Sequence, residues 1–360
     1  MSLLSDSPAG DGITADADGY HALRIGAVVR EAADIVSLVI DVPGALAERF
    51  RYRAGQYVTL RVAIGGQRLA RCYSMSTAPE SDAGLRVTIK RIAGGRVSRW
   101  AVEEAAAGAA ISVMPPAGRF CLRPHDGPLR LFAGGIGITP ILSLAKAALA
   151  TTARAVTLIH ANHDRAGIAF AGELAALAAA YPGRFTLIDW IDAERGLIDP
   201  AAVRSIAPFA PNADHYICGP APFMAMIEAT LIADGADREH VFIERFVSPP
   251  DAIDDAADAS PAQAADSAVC EAIILVLRGQ SHMIDHAPGE TIVQAAYRND
   301  IRVPISCLEG ACATCVARVT EGRVEMIANS ALTLREVEQG YALTCQALPT
   351  ARSVTVIYDE

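Results

Sequence analysis

Long apolar runs are missing: no stretch of this 360-residue chain reaches the roughly 18–20 consecutive apolar residues that a membrane-spanning helix needs. A protein without a membrane span is therefore expected. The opening segment MSLLSDSPAGDG has neither a basic n-region nor a sustained apolar h-region, so it does not read as a secretory leader and a cytoplasmic protein is expected. Positive charge is also in short supply. With 31 Lys and Arg against 41 Asp and Glu the net charge is −10, which lacks the basic footprint of a nucleic-acid binder. Cysteines number only eight, and Cys72, Cys121, Cys218 and Cys270 are scattered singly, which excludes a disulfide-stapled scaffold. The other four, Cys307, Cys312, Cys315 and Cys345, gather late in the chain.

What is present divides into parts. The length suggests two or three domains. SPPDAIDDAADASPAQAADSA, residues 248–268, is rich in Pro, Ala and Asp with almost no bulky apolar side chain, and reads as an acidic linker. Upstream, over 20–125, ALRIGAVV, DIVSLVI, YVTLRV and LRVTIKRI are short, rich in β-branched residues and punctuated by Gly and Pro, the pattern of an antiparallel barrel or sandwich. Over 126–247 strand-like and helix-like segments alternate: LRLFAG before TPILSLAKAALA, AVTLIHA before AFAGELAALAAAY, HYICG before APFMAMIEATLIADG. That alternation predicts an α/β domain with a parallel sheet. Residues 269–360 form a third, acidic domain, which would favour a partner with a basic patch.

Two glycine turns carry chemistry. LFAGGIGITP runs a strand into Gly135 and Gly137 and then into a helix opened by Thr139 and Pro140, where free N–H groups favour a pyrophosphate. The spacing departs from G-x-G-x-x-G, with Pro where the third Gly would stand, and such a turn alone is also plain strand-to-helix punctuation. CGPAPFM, with Cys218, Gly219 and Pro220, repeats the device after a later strand, and two such turns favour a dinucleotide. In the β half, RCYSMS offers a cation at Arg71, an aromatic plane at Tyr73 and hydroxyls at Ser74 and Ser76. GGRVSRW then sets Gly94, Gly95 and Ser98 ahead of a helix start that could hold an anion.

The cysteines read most directly. Cys307, Cys312 and Cys315 have the spacing C-x4-C-x2-C, with Cys345 as a distant fourth, which is the ligand pattern of a plant-type [2Fe–2S] cluster. A structural zinc site also takes four thiolates, but usually as two close pairs, and Cys345 has no nearby mate. Around them EAIILVLRG and QSHMIDH suggest a hairpin, TIVQAAYRN a short helix and SVTVIYDE a closing strand.

Taken in order, R-x-Y-S-x-S, G-x-V-S, GGIGITP, CGP, the aromatic of ERF and the four cysteines resemble the ferredoxin–NADP reductase superfamily, in its branch of oxygenase reductases that includes those of steroid 9α-hydroxylation and phenylacetyl-CoA epoxidation. The resemblance implies an FAD-binding β-barrel, an NAD(P)-binding α/β domain and a β-grasp ferredoxin domain. It implies that Arg71, Tyr73 and Ser74 contact the flavin, that Thr88 and Lys90 lie along the FAD chain, and that Gly95, Val97 and Ser98 hold its pyrophosphate. Phe246 would cover the other ring face. Gly135, Gly137, Thr139, Pro140, Cys218, Gly219 and Pro220 would position the nicotinamide nucleotide, with Ser74 and Cys218 as the catalytic candidates lining the hydride path.

The expected reaction follows from the series: NADH gives up electrons in pairs, a [2Fe–2S] cluster takes them singly, and a flavin can do both. NADH is the expected donor, because His163 precedes Asp164 and Arg165 where relatives often carry a further Arg; NADPH is the alternative. The expected acceptor is a separate terminal oxygenase, first a Rieske-type hydroxylase, second a di-iron phenylacetyl-CoA-type oxygenase. A redox-sensing nucleotide-binding protein is the reading from another class. A monomer is expected.

Overall fold

The computed structural model describes residues 14–16, 19–246, 270–305, 310, 313–329, 331–332 and 334–358. The linker expected over 248–268, and the expected ligands Cys307 and Cys312, lie outside the described residues. The chain forms two compact units, Met1–Arg245 and Phe246–Glu360.

The first unit opens with β1 (His21–Ala32), β2 (Ile35–Asp41), β3 (Tyr57–Ile64), β4 (Gln67–Ser74), β5 (Leu85–Lys90) and β6 (Ala110–Val113), in the order β4-β3-β6-β1-β2-β5 with antiparallel pairing. In β1, His21, Leu23 and Ile25 point inward while Ala22, Arg24 and Gly26 face out, the period-2 alternation of a half-buried strand. An antiparallel bridge between Met75 and Val87 joins the ends of the two outer strands, so the sheet closes on itself around Leu38, Val58, Leu60, Val87 and Val113. Helix α1 (Arg96–Glu103) opens at Gly95 and lies against β5.

The second half of this unit is a parallel sheet of β7 (Leu129–Gly134), β8 (Val156–Asn162), β9 (Phe185–Ile191), β10 (Asp214–Cys218) and β11 (Val241–Glu244), ordered β11-β10-β7-β8-β9. Its helices are α2 (Ile138–Thr151), α3 (Ala171–Ala180), α4 (Asp192–Arg195), α5 (Pro200–Ile206) and α6 (Ala221–Ala233). Central strands β7 and β10 are buried on both faces, as a helix-covered parallel sheet requires. Every residue of α2 from Ile138 to Leu149 is buried, because the sheet covers one side and barrel residues Ile35, Ala54, Ala78 and Phe120 share its core.

The second unit has β12 (Ala272–Leu277), β13 (Gln280–Ile284), α7 (Ile292–Arg298), β14 (Val316–Glu321), β15 (Val324–Met326), α8 (Leu334–Glu338), β16 (Tyr341–Leu343), β17 (Ala347–Pro349) and β18 (Ser353–Ile357). Its main sheet runs β13-β12-β18-β14-β16, with β12 and β13 as the expected hairpin and β18 parallel to β12. Thr291 starts α7 with a capping box to Gln294. The antiparallel barrel, the parallel α/β layer and the α+β unit expected from the sequence are all present. Among the described residues no helix is long and apolar enough to cross a membrane.

Candidate functional site

Strand order reverses between β7 and β10: the chain leaves β7 toward β8 on one side and later returns as β10 on the other. A crevice opens beyond the carboxyl ends of strands at such a reversal. Both glycine turns lie there and pack against each other. A Cβ on Gly137 would fall 2.3 Å from the Cys218 carbonyl oxygen, and one on Gly219 would fall 2.9 Å from Gly134 Cα. Only hydrogen at these positions lets the two turns meet. Gly135 has φ +53° and open space before it, a left-handed position that suits glycine. Thr139 and Pro140 are buried in the first turn of α2, and the Thr139 hydroxyl donates to Ile136 O at 3.2 Å.

His160, at the end of β8, places Nε2 3.3 Å from Gly135 O; burial pushes its pKa down to about 4, so it stays neutral and Nε2–H steadies the glycine turn. Cys218 is fully buried at the end of β10, and that burial pushes its thiol well above the ordinary range. The thiol is therefore neutral and not a thiolate nucleophile. Pro220 precedes α6 as its N-cap.

On the barrel, Arg71, Tyr73 and Ser74 end β4, facing Leu60, Val58 and Tyr57 of β3. Tyr73 packs partly on the barrel core. Ser74 is 2% exposed and its Oγ has no hydrogen-bond partner among the described residues. Buried hydroxyls are normally satisfied, so this one is a place where a bound group would complete the structure. The Thr88 hydroxyl is held inside the barrel by Ser37 Oγ at 2.8 Å and Ser76 Oγ at 3.0 Å, and Lys90 lies 3.8 Å from Asp34. Beside that pair a cleft of about 370 Å³ is lined by Asp34, Arg91, Ile92, Ala93, Gly94, Gly95, Arg96 and Arg99. Arg91, Arg96 and Arg99 line it together with the start of α1, Arg91 paired to Glu103 at 2.8 Å and Arg96 donating to Ile64 O at 2.8 Å, and this basic lining fits the pyrophosphate of a dinucleotide. Gly95 is required here, since a Cβ would meet Ile92 Cγ1 and Ser98 Oγ at 2.5 Å each. Val97 and Ser98 are buried behind it, with Ser98 Oγ accepting from Ile92 N at 3.2 Å. Phe246 is exposed and belongs to the second unit.

At the far end of β8 and β9, Asn162 Nδ2, Asp189 Oδ1 and Asp192 Oδ1 are buried without partners among the described residues. Next to them the Arg165 guanidinium is taken up by Glu194, at 2.6 Å from Nε and 3.0 Å from Nη2, and these hydrogen bonds hold the Glu194 carboxyl below its usual range. Asp164 Oδ1 accepts from Gly167 N at 2.9 Å. Sequence reasoning named Asp164 and Arg165 but missed Glu194; the signal was its place just after the third strand of the parallel sheet, at the same edge.

Of the four cysteines expected as cluster ligands the structure describes Cys315 and Cys345, both buried. The Thr344 hydroxyl and backbone N–H both donate to Cys315 O, at 2.7 and 3.2 Å, which draws the two cysteine segments together. Tyr358 extends the chain by donating to Thr344 Oγ1 at 2.9 Å. Gly310 and Ala313 have φ of +72° and +55°, and a Cβ on Gly310 would lie 2.8 Å from Ala328 O. Small residues in left-handed conformations let a loop curl tightly, which fits thiolates closing on a compact inorganic group. Thr344 and Tyr358 were not picked out from the sequence, because neither spacing nor residue type marks them.

Comparison with known proteins agrees with this geometry. Residues 23–121 match an oxidoreductase FAD-binding domain, 131–229 an oxidoreductase NAD-binding domain, and 275–350 a 2Fe-2S iron-sulfur cluster binding domain. The ferredoxin reductase component of 3-ketosteroid-9-alpha-monooxygenase from Mycolicibacterium smegmatis is 39% identical, over 95% of this chain and 98% of its own length. A component of 1,2-phenylacetyl-CoA epoxidase from Escherichia coli is 32% identical, over 94% of this chain and 98% of its own. The crystal structure of phthalate dioxygenase reductase shares the fold at a TM-score of 0.59 and 22% identity, covering 95% of this chain and 98% of that one. The chain belongs to the family of oxygenase reductase components that join FAD-binding, NAD-binding and [2Fe–2S]-binding domains in one polypeptide.

Proposed function

We propose that this chain takes electrons in pairs from NADH and passes them singly to a separate oxygenase, a Rieske-type hydroxylase of a steroid or aromatic substrate. The observation that supports this most is a nucleotide crevice, a flavin-type barrel and a cysteine-bearing unit in one chain, collinear over 98% of the length of a monooxygenase reductase component. The likeness to an epoxidase component keeps a di-iron oxygenase of an aromatic CoA thioester as the second reading.

When bound, FAD and the cluster supply the conversion between two-electron and one-electron transfer. The chain's own residues place and shelter them. Arg71, Tyr73 and Ser74 would contact the flavin, with Ser74 Oγ, partnerless among the described residues, close to its ring, and Thr88 and Lys90 would lie along the FAD chain. Gly95, Val97 and Ser98 form the pyrophosphate seat, and Phe246 is assigned to the second ring face. Gly135, Gly137, Thr139, Pro140, Gly219 and Pro220 seat the dinucleotide, while the uncharged Cys218 keeps water from the transfer path. Cys307, Cys312, Cys315 and Cys345 are the cluster ligands. We assign 20–125 to FAD, 126–247 to NAD, 248–268 to a linker and 269–360 to the cluster. NADH is favoured because Glu194 already occupies Arg165, the cation nearest to where a 2′-phosphate would sit.

The test is Cys345→Ser in the full chain. Loss of the visible iron–sulfur absorption and of cytochrome c reduction, with NADH–ferricyanide activity kept, is expected. Equal loss of both activities would refute serial transfer. Reconstitution with a Rieske hydroxylase and with a di-iron oxygenase separates the two acceptors.

A further inference from the structure

The chain contains only two lysines, Lys90 and Lys146, while every other basic site uses Arg. Lys146 is 6% exposed and sits on α2, two turns beyond the glycine turn. Its Nζ donates to Asp82 Oδ1 at 3.1 Å and Oδ2 at 3.0 Å, and to Glu173 Oε1. Asp82 belongs to the barrel, preceding β5, where its Oδ2 also accepts from Ala78 N at 2.7 Å. Glu173 belongs to α3 and is gripped from the barrel by Arg86 of β5, at 2.9 and 3.2 Å. Arg86 in turn donates to Ser76 Oγ at 3.0 Å and Ser76 O at 3.2 Å. One turn earlier on α2, Ser143 Oγ donates to Thr77 O at 2.6 Å and accepts from Gly55 N at 3.2 Å.

Two acids and two bases thus alternate across the seam between barrel and α/β domain. Apolar contacts of α2 with Ala54, Ala78 and Phe120 already supply adhesion there. Adhesion alone tolerates sliding, whereas charge-assisted hydrogen bonds have direction and distance, and burying them is otherwise unfavourable. Both ends of this network lead to the transfer site. Ser76 and Thr77 lie two and three residues after Ser74 on the barrel, and α2 begins at the nucleotide turn. A compact ammonium with three donors can bridge two carboxylates in a space that a planar guanidinium would overfill.

We propose that Lys146 is a positioning residue for hydride transfer, locking α2 to the barrel through Asp82 and the Glu173–Arg86 pair so that the nucleotide turn and the flavin motif keep one register. The proposal rests on the NADH-to-flavin reading above. Lys146 touches neither cofactor site directly, so its effect is on rate and not on occupancy.

The experiment is anaerobic stopped-flow reduction of the flavin by NADH in the full-length holoprotein, comparing the wild-type chain, Lys146→Met and Glu173→Gln. Lys146→Met is expected to keep its flavin and iron content and its NADH dissociation constant within about twofold, while the limiting rate of flavin reduction falls about tenfold or more, the scale of a sub-ångström misplacement. Glu173→Gln, which leaves Lys146 with Asp82, is expected to fall between the two. A limiting rate equal to wild type in flavin-loaded Lys146→Met would overturn the proposal. Should Lys146→Met lose its flavin, a wild-type limiting rate in Glu173→Gln would overturn it equally. A wild-type chain that does not reduce its flavin with NADH at all would instead sink the functional reading, which the same trace distinguishes.

Discussion

Replacing Gly137 by alanine probes the nucleotide crevice at its tightest point. The added Cβ would sit 2.3 Å from Cys218 O, 2.5 Å from Cys218 C and 2.7 Å from Gly219 N. All three are backbone atoms, so no side-chain rotation relieves the clash. Since ordinary contact begins near 3.4 Å, the two glycine turns must part by about 1 Å. A displacement of that size at a transfer site costs about 100-fold in rate, or about 2.7 kcal/mol of activation free energy. The expected outcome is that Gly137→Ala, purified with full flavin and iron, reduces ferricyanide with NADH at about one-hundredth of the wild-type kcat/KM. Gly135→Ala is the control. Its Cβ would enter open space, so only the left-handed backbone at φ +53° is penalised, by about 1–2 kcal/mol of stability. Gly137→Ala with wild-type kcat/KM would show that the two turns do not form the nucleotide seat.

Glu194→Gln should free Arg165 for a 2′-phosphate and raise kcat/KM for NADPH about tenfold with NADH little changed, because the lost partner is a charge-assisted hydrogen bond; steady-state rates with both nucleotides check this, and an unchanged ratio removes Glu194 from donor choice. Acid sensitivity is the other expectation. Burial lowers the pKa of His160 and His215 to about 4 from an ordinary 6.5, so the folded chain refuses protons that the unfolded chain accepts. The stability from keeping them neutral is complete above pH 6.5 and declines as pH falls toward 4, by up to about 3 kcal/mol for each residue. Thermal unfolding between pH 7 and pH 4.5 should show a steeper acid loss in wild type than in His215→Phe; identical slopes would contradict the assignment.

The elements were legible wherever one physical constraint dominated. Alternation in β1 and the largely apolar run of β7, broken only by the half-buried Arg130, announce their sheets, because one strand has a wet face and the other is covered on both. The glycine turns were legible because Gly137 and Gly219 admit no Cβ at all. Pairings between distant charges were not. Nothing local marks Glu194 as the partner of Arg165, or Asp214 as the buried anion that Arg154 reaches at 2.7 Å, since these depend on which strand ends share an edge. The Tyr358–Thr344–Cys315 relay was hidden for the same reason: it spans a strand that had to be threaded into place first.

That threading has a consequence for biosynthesis. Strand β18 is the last of the described strands, yet it occupies the middle of its sheet, between β12 and β14. A ribosome-bound chain therefore holds a divided sheet until the final segment emerges, whereas the strands of the first unit are complete by Glu244. Domains that mature as units then do so in sequence, nucleotide half first. Tyr358, which donates to Thr344 beside Cys345, arrives in that same final segment.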